Sequence, residues 1–246
     1  MPIFTDGMEE TKIKGSHYGF SGKRVEDLGA TEYTLVALTG DKSGSVGGFR
    51  DEIETCIKEV ISSCQHSPRA DNLMARLTLF DTNLEEVHGF RPLTECDVDK
   101  YTNCIQVGGA TALYDAACNA VESLTVYGKD LAENDFDVNA IVFVITDGMD
   151  NRSTMTATEV KKRLEEAVKS EQLESIVSIL IGVNVQEPAV SQYLKELHVN
   201  AGFTQYVELG DASAKTLAKL ADFVSKSISA QSQALGTGGP SQSLSF

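Results

Sequence analysis

The chain of 246 residues is 41% hydrophobic and 23% charged, which is enough apolar material for the core of one α/β domain. Its formal net charge of −15 at pH 7 makes an acidic surface that repels phosphate backbones and anionic lipid, so we expect neither nucleic-acid nor membrane binding. No apolar run reaches the roughly 20 residues of a membrane-spanning helix, and the first residues show no basic segment followed by an apolar one, as a secretory signal would.

The five cysteines are expected to be reduced, buried thiols. They include no CxxC pair, and Cys56 and Cys64 share one face of a helical pattern rather than the ligand spacing of a metal site. Disulfides and a zinc site are the alternatives. Together with the missing signal pattern, reduced thiols lead us to expect a cytoplasmic protein.

The first half of the chain begins with a polar stretch and then alternates strands with helices. Residues 1–30 are dotted with glycine and predict an N-terminal arm or an edge extension. The run at 33–39 is continuous in β-branched and apolar residues, which predicts a strand buried on both faces. Residues 49–64 repeat apolar side chains at helical spacing and predict a helix, and strands follow at 73–80 and 83–90.

The second half continues this alternation. A helix is predicted from residue 113 to about 127, and "AIVFVIT" at 140–146 is the strongest pattern of a buried strand in the chain. The remaining predicted elements are a helix at 156–171, a strand at 175–183, a helix at 188–201, a strand at 206–209 and a helix at 212–231. Residues 233–246 are rich in Gly, Ser and Pro and predict a flexible tail.

Local signals mark the ends of two helices. Thr156 stands three positions before Glu159, which is the spacing of a capping box. The helix at 188–201 begins with Pro188 and is followed by Gly202, the residues favoured at a helix start and just past a helix end.

Strand-helix alternation over about 200 residues predicts an α/β fold. We expect a doubly wound, mostly parallel central sheet flanked by helices on both faces, in one domain over residues 31–232. A fold of this kind binds its ligand just outside the carboxyl ends of the strands. The residues directly after each predicted strand are therefore the candidates for function.

Three such loops are rich in oxygen. The first is Asp41-Lys42-Ser43-Gly44-Ser45, the second is Gly108-Gly109-Ala110-Thr111, and the third is Thr146-Asp147-Gly148-Met149-Asp150-Asn151. The first is not a phosphate loop, because only one glycine precedes its lysine and Asp41 stands where a phosphate oxygen would lie.

A hard divalent cation suits the oxygens of these loops. Asp41 and Asp147 offer carboxylates, and Ser43, Ser45 and Thr111 offer neutral hydroxyls, the donors preferred by Mg²⁺, with Mn²⁺ and Ca²⁺ as alternatives. Because only two ligands carry charge, a bound ion stays electrophilic and can accept a carboxylate from another molecule. The alternative is that the hydroxyls cap helices and that Asp147 and Gly148 form an ordinary turn.

The three loops together resemble the metal-ion-dependent adhesion site of the von Willebrand factor A (vWA) domain family, in the style of its stand-alone prokaryotic members. The resemblance rests on the Asp41-x-Ser43-x-Ser45 pattern, on Thr111 in "GGATALYDA" and on Asp147 in "VFVITDGMDN", and it covers about residues 32–230. It implies an intact metal site made of these five residues. It also implies that a Glu or Asp of a protein partner completes the coordination of the ion.

We therefore expect a non-enzymatic protein-binding module. The rival function is a Mg²⁺-dependent phosphoryl-transfer or hydrolytic enzyme on a similar sheet, which would need a base or nucleophile beside the ion; none stands in the three loops. A purely structural metal site is a second rival. Asp115, Asp150 and Asn151 are candidates for supporting the loops, and we expect the side chain of Lys42 to point to solvent.

Overall fold

The computed structural model describes residues 7–14, 16–170, 172–240 and 244–246. In this part of the chain, eight strands and five α-helices follow one another. The strands are β1 (Met8–Lys12), β2 (Gly19–Lys23), β3 (Glu32–Asp41), β4 (Leu73–Phe80), β5 (Leu84–Pro92), β6 (Asp137–Thr146), β7 (Ser175–Gly182) and β8 (Gln205–Glu208). The helices are α1 (Arg50–Gln65), α2 (Leu113–Ala132), α3 (Ala157–Lys169), α4 (Pro188–Ala201) and α5 (Ala214–Thr237).

The strands form one mostly parallel sheet in the order β1-β2-β5-β4-β3-β6-β7-β8. The strand pairs β3/β4, β3/β6, β6/β7, β7/β8 and β2/β5 are parallel, and the pairs β4/β5 and β1/β2 are antiparallel. The predicted fold class, a doubly wound α/β sheet with helices on both faces, is confirmed.

The sheet is central because its middle strands are apolar on both sides. Every residue of β4 is buried, as is every residue of β3 after Glu32. One face packs against α1 and α5, and the other packs against α2, α3 and α4. The carboxyl ends of β3 and β6, which are adjacent and parallel, therefore meet at one edge of the sheet.

The predicted helix signals are present. The Thr156 hydroxyl accepts a hydrogen bond from the Glu159 N–H, and the Glu159 carboxylate accepts one from the Thr156 N–H, so the capping box is confirmed. Helix α4 begins with Pro188 and is followed by Gly202 at φ 73°, a left-handed conformation that favours glycine.

The segment before β3 contains a β-hairpin, formed by β1 and β2, at one end of the sheet. A fully buried arginine of β4, Arg76, ties the hairpin down: its guanidinium bonds Glu86 Oε2 at 2.7 Å and the Gly19 carbonyl at 3.3 Å. Glu86 in turn accepts hydrogen bonds from the backbone and hydroxyl of Ser21. Residues 1–6 of the predicted arm lie outside the described residues.

At the other end of the chain, α5 continues past the predicted end at residue 231 to Thr237. Beyond it, residues 241–243 of the predicted tail lie outside the described residues. Leu244 packs against the core, and its carbonyl accepts a hydrogen bond from the Gln205 side chain at 2.9 Å. Phe246 lies edge to face against Phe223 of α5.

The cysteines are free thiols, as predicted, and four of them are buried. Burial raises the pKa of Cys56 and Cys64 to about 12, which keeps both thiols protonated and unreactive. Among the described residues, no helix has both the length and the apolar character needed to cross a membrane.

Candidate metal site

The first loop follows β3 directly and begins with a buried carboxylate. Asp41 is only 2% exposed. Its Oδ1 accepts a hydrogen bond from the Ser43 N–H at 2.8 Å, and its Oδ2 accepts one from the Thr146 hydroxyl at 2.7 Å. Both carboxylate oxygens are thus fixed, one by the loop itself and one by the end of β6.

The first and third loops meet through their side chains. Ser45 Oγ donates to Asp147 Oδ1 at 2.9 Å, and the hydroxyls of Ser43 and Ser45 lie 3.2 Å apart. The pairing follows from the sheet, because β3 and β6 are parallel neighbours and end at the same edge. Three predicted ligand side chains are therefore in contact.

The second loop, which carries Thr111, is bound to the other two by its backbone. Thr111 N–H donates to Asn151 Oδ1 at 2.8 Å, and its carbonyl accepts from Asn151 N–H at 3.1 Å. On the other side, the Gly44 N–H donates to the Gly109 carbonyl at 3.4 Å. Gly109 has φ +76°, and a Cβ there would lie 2.8 Å from the Thr82 hydroxyl, so this turn needs glycine.

The hydroxyls of these loops do not cap helices. The residue before α1 is Phe49 and the residue before α2 is Ala112, and neither makes a side-chain capping bond. Ser43 precedes a short 3-10 turn at Gly44–Gly48, and its side chain does not cap that turn either. The structure therefore does not support the alternative that these serines and Thr111 cap helices.

The two carboxylates lie in an environment that disfavours their charge. Burial raises the pKa of Asp41 to about 6, against the effect of its hydrogen bonds, and the nearby charge of Asp147 adds to the rise. Burial also raises the pKa of Asp147. A cation beside them would offset both penalties, because an opposite charge favours the ionised form.

The donor set fits a hard cation. Thr111 is 5% exposed, and its hydroxyl forms no hydrogen bond with any described residue. The described part of the chain contains no cluster of three His, Cys, Asp or Glu side chains suited to a metal. The two carboxylates and three hydroxyls are a different donor set, made of oxygens alone and with three neutral donors of five, as Mg²⁺ and similar ions accept.

Lys42 is not directed to solvent, and that expectation is wrong. The side chain is buried, and Nζ lies 2.8 Å from Glu85 Oε2 and 3.6 Å from Asp81 Oδ2. The ammonium lowers the pKa of Glu85 through their hydrogen bond. Successive residues of an extended segment point to opposite sides, so Lys42 pairs with the β4–β5 turn while Asp41 and Ser43 face the site.

The candidate supporting residues bind the loop after β6. The Asp115 carboxylate accepts from the N–H groups of Thr154, at 3.0 Å, and Met155, at 2.8 Å. Asp150 accepts from the Tyr114 N–H at the start of α2 and from the Ser153 N–H. Together with the Asn151 bonds to Thr111, these contacts fix the third loop against the second.

Sequence reasoning missed some of the residues that hold the site. Thr146 bonds Asp41, and Tyr193 on α4 accepts a hydrogen bond from the Asp150 N–H at 3.1 Å. Thr146 carried a signal, since it is a hydroxyl at the last position of the most apolar strand. Tyr193 carried none, because it reaches this loop from α4, where its hydroxyl also bonds the Tyr114 hydroxyl of α2.

Comparison of the sequence with protein-family models gives no match, and comparison with curated protein sequences gives none either. Solved structures do match. The PilB minor pilin of Streptococcus sanguinis is similar over 89% of this chain and 66% of its own, at 16% identity and a TM-score of 0.58. The pilus adhesin SpaC of Lactobacillus rhamnosus GG is similar over 91% of this chain and 34% of its own, at 10% identity and a TM-score of 0.61.

A third similar structure is proximal thread matrix protein 1 of the mussel byssus, described with a zinc-occupied MIDAS motif. It is similar over 80% of this chain and 46% of its own, at 16% identity and a TM-score of 0.53. At such identities the likeness concerns the fold, which is a vWA-like α/β fold. The chain corresponds to part of each of these longer proteins.

The expected cytoplasmic location is contradicted by these comparisons. The similar structures are a minor pilin, a pilus adhesin and a byssal thread matrix protein. The free thiols, on which the expectation partly rested, are weak evidence for a reducing compartment. Four of the five are buried, and burial protects a thiol from oxidation wherever the protein resides.

Proposed function

We propose that this chain is a non-enzymatic, metal-dependent protein-binding module with an intact adhesion site at the carboxyl edge of its sheet. In this proposal the hydroxyls of Ser43, Ser45 and Thr111 bind a divalent cation directly, and Asp41 and Asp147 bind it directly or through water. We propose Mg²⁺ as the ion, because small hard cations take neutral and charged oxygen donors of this kind.

One observation carries the proposal. Ser45 Oγ donates to Asp147 Oδ1 at 2.9 Å, across 102 positions of sequence, between loops that end adjacent strands. Ser43 Oγ lies beside this pair. A helix cap or an ordinary turn needs no such contact between distant loops, whereas a shared cation needs its ligands to converge.

The five proposed ligands differ in how they would bind the ion. Both oxygens of Asp41 already accept hydrogen bonds, from Ser43 N–H and the Thr146 hydroxyl, which favours a role through water. The ligands that bind the ion directly are then mostly the three neutral hydroxyls. An ion held this way supplies an open coordination position for a carboxylate oxygen of a Glu or Asp on a protein partner.

The test is a calorimetric titration of Mg²⁺ into the wild-type protein and into two isosteric variants, Asp41→Asn and Thr111→Val. We expect saturable binding by the wild type and strongly weakened binding by both variants. At about 100 times the dissociation constant, Mg²⁺ should raise the free energy of unfolding of the wild type by about 2.7 kcal/mol. EDTA should abolish that gain.

Thr125→Val serves as the matched control, since Thr125 bonds within α2 at the Val121 carbonyl and lies far from the three loops in the chain. It should bind Mg²⁺ like the wild type. If the two site variants are unfolded in thermal melts, the metal site is structural and the proposal is wrong. Undiminished binding by folded Asp41→Asn and Thr111→Val would equally reject it.

A further inference from the structure

Two large apolar side chains are exposed on either side of the candidate metal site. Val107 is 36% exposed and Met149 is 43% exposed. Val107 lies against the first loop: a Cβ on Gly47 would be 3.6 Å from its Cγ1, and the next residue, Gly108, donates to the Lys42 carbonyl. Met149 stands two positions after Asp147, which bonds Ser45. Both side chains therefore belong to loops that contact the first loop, Val107 directly and Met149 through its neighbour Asp147.

In the loop after β6, some side chains form hydrogen bonds within the protein and others are exposed without them. Five of its side chains bond to the rest of the site or to the loop itself, namely Asp147, Asp150, Asn151, Ser153 and Thr154. Met149 and Arg152 form no side-chain hydrogen bond with any described residue, and Arg152 forms no ion pair with one either. Both side chains are exposed, so both are available to a partner.

The surface around these residues is open. A Cβ added to Gly48, Gly108 or Gly148 would meet no atom within 4 Å, and Gly44 and Gly47 are also exposed. Small residues leave the metal site accessible to a protruding loop. Among the exposed large apolar side chains of the described residues, Val107 and Met149 are the ones that belong to these loops.

The charges on this face also specify a partner. The nearby cations of the first loop and of α1 are paired, Lys42 with Glu85 and Arg50 with Asp51. Arg152 follows Asn151, which bonds Thr111, and forms no ion pair with any described residue. It adds a positive charge to that of the proposed ion, on a chain whose net charge is −15. An acidic loop would be attracted to this spot and repelled by most of the remaining surface.

We propose that Val107, Met149 and Arg152 select the partner, and that the partner is a protein loop whose metal-bound Glu or Asp has an apolar neighbour and a second acidic residue. The apolar neighbour packs on Val107 and Met149, and the second acid pairs with Arg152. This inference rests on the proposed function, since the central acid reaches the ion. It goes beyond that function by specifying the residues beside the metal-bound acid of the partner.

The test uses a display library of short constrained loops with a fixed central glutamate and randomised flanks, selected on the wild-type protein in Mg²⁺. We expect the recovered loops to be enriched in an apolar residue and in a second acid beside the glutamate. A synthetic loop from the selection is then titrated into variants. Met149→Ser should weaken its binding about tenfold, because an apolar contact is lost.

Arg152→Glu should weaken the same loop about tenfold at low salt and less at high salt, because a rim charge acts over a distance that salt screens. Two variants on helices outside the three loops provide controls. Val199→Ser removes an exposed valine on α4, and Lys219→Glu reverses an exposed charge on α5 that forms no ion pair with described residues. Neither should change the affinity.

The outcomes separate this inference from the proposed function. Loops recovered equally in Mg²⁺ and in EDTA, or no recovered loops at all, would reject the proposed function and this inference with it. Loops that need Mg²⁺ but show no flanking preference would reject the inference alone. So would Mg²⁺-dependent loops that bind Met149→Ser and Arg152→Glu as tightly as the wild type.

Discussion

At the residue scale, the candidate metal site depends on carboxamide and hydroxyl groups that position its proposed ligands. Asn151 is the clearest case, because its side chain and backbone both bond to the backbone of Thr111. Residues of this kind set the orientation of a ligand without touching the ion. Their loss usually costs a metal site a measurable part of its affinity.

We predict that Asn151→Ala weakens Mg²⁺ binding about tenfold while the protein stays folded. The Thr111 backbone loses a hydrogen bond, so its hydroxyl is held less firmly towards the other loops. Calorimetric titration measures the change. Asn134→Ala is the control, since Asn134 is exposed and bonds only near the end of α2. Equal affinities of the two variants would show that Asn151 does not position Thr111.

Some contacts of the candidate site could be anticipated from the sequence and others could not. Asp41, Ser43 and Ser45 could be proposed as ligands because their short spacing after a buried strand has a chemical meaning by itself. Lys42 could not be oriented, because its direction depends on Glu85 and Asp81, which the antiparallel β4–β5 pair brings beside it. No local pattern reports such a contact.

At the scale of elements, strongly periodic segments were predicted as strands and helices, whereas the weakly apolar start of the chain left an arm and an edge extension as alternatives. The strands β3, β4, β6 and β7 are almost fully buried, so their sequences are continuously apolar. The hairpin of β1 and β2 is short and mostly polar. It is held by the buried Arg76 and its partner Glu86, which are distant in sequence from it.

The connection from β5 to α2, which delivers Thr111 to the site, is anchored by a buried histidine. His88 Nδ1 donates to the Gly89 carbonyl at 2.9 Å, and its Nε2 therefore accepts from the Tyr101 hydroxyl at 2.8 Å. Burial lowers the pKa of His88 to about 4, and the charges of Arg91 and Arg76 add to the effect. The neutral ring is the form that fits.

We predict a pH-dependent loss of stability from this group. The unfolded histidine binds a proton near pH 6.5, and the folded one only near pH 4. The stabilisation is thus complete above the unfolded pKa and is lost as the pH falls towards the folded pKa, by about 2 kcal/mol at pH 5. Urea unfolding at a series of pH values measures it.

The variant His88→Gln isolates this contribution, because the amide can still accept from Tyr101 but does not titrate. The difference in unfolding free energy between wild type and variant should shrink as the solution is acidified. His17→Gln, at an exposed position, should leave the pH dependence unchanged. A wild type and His88→Gln with parallel pH profiles would contradict the assignment.

At the scale of the whole molecule, the order of the strands brings the first and third loops together, because β3 and β6 are parallel neighbours that end at the same edge of the sheet. That approach was predictable from the alternation of strands and helices. The second loop comes after β5, which runs antiparallel to β4, and it is held at this edge by the turn after β4, where the Ala112 N–H donates to the Asp81 carbonyl. The contribution of α4 through Tyr193 was not predictable, because it arises from packing between helices.

The similar solved structures support statements about the fold alone. At identities of 10% to 16%, this chain shares its architecture with a pilin, an adhesin and a thread matrix protein. The three loops, rather than the architecture, carry the proposal of a metal-dependent binding module. The proposed partner specificity rests on Val107, Met149 and Arg152.

The proposed metal site is tested most directly by a crystal structure of the protein with Mn²⁺, in which the anomalous scattering of manganese locates the ion. We predict an anomalous peak bounded by the hydroxyls of Ser43, Ser45 and Thr111, with Asp41 and Asp147 beside it. A crystal saturated with Mn²⁺ that shows no anomalous peak at this place, or a peak only elsewhere, would contradict it.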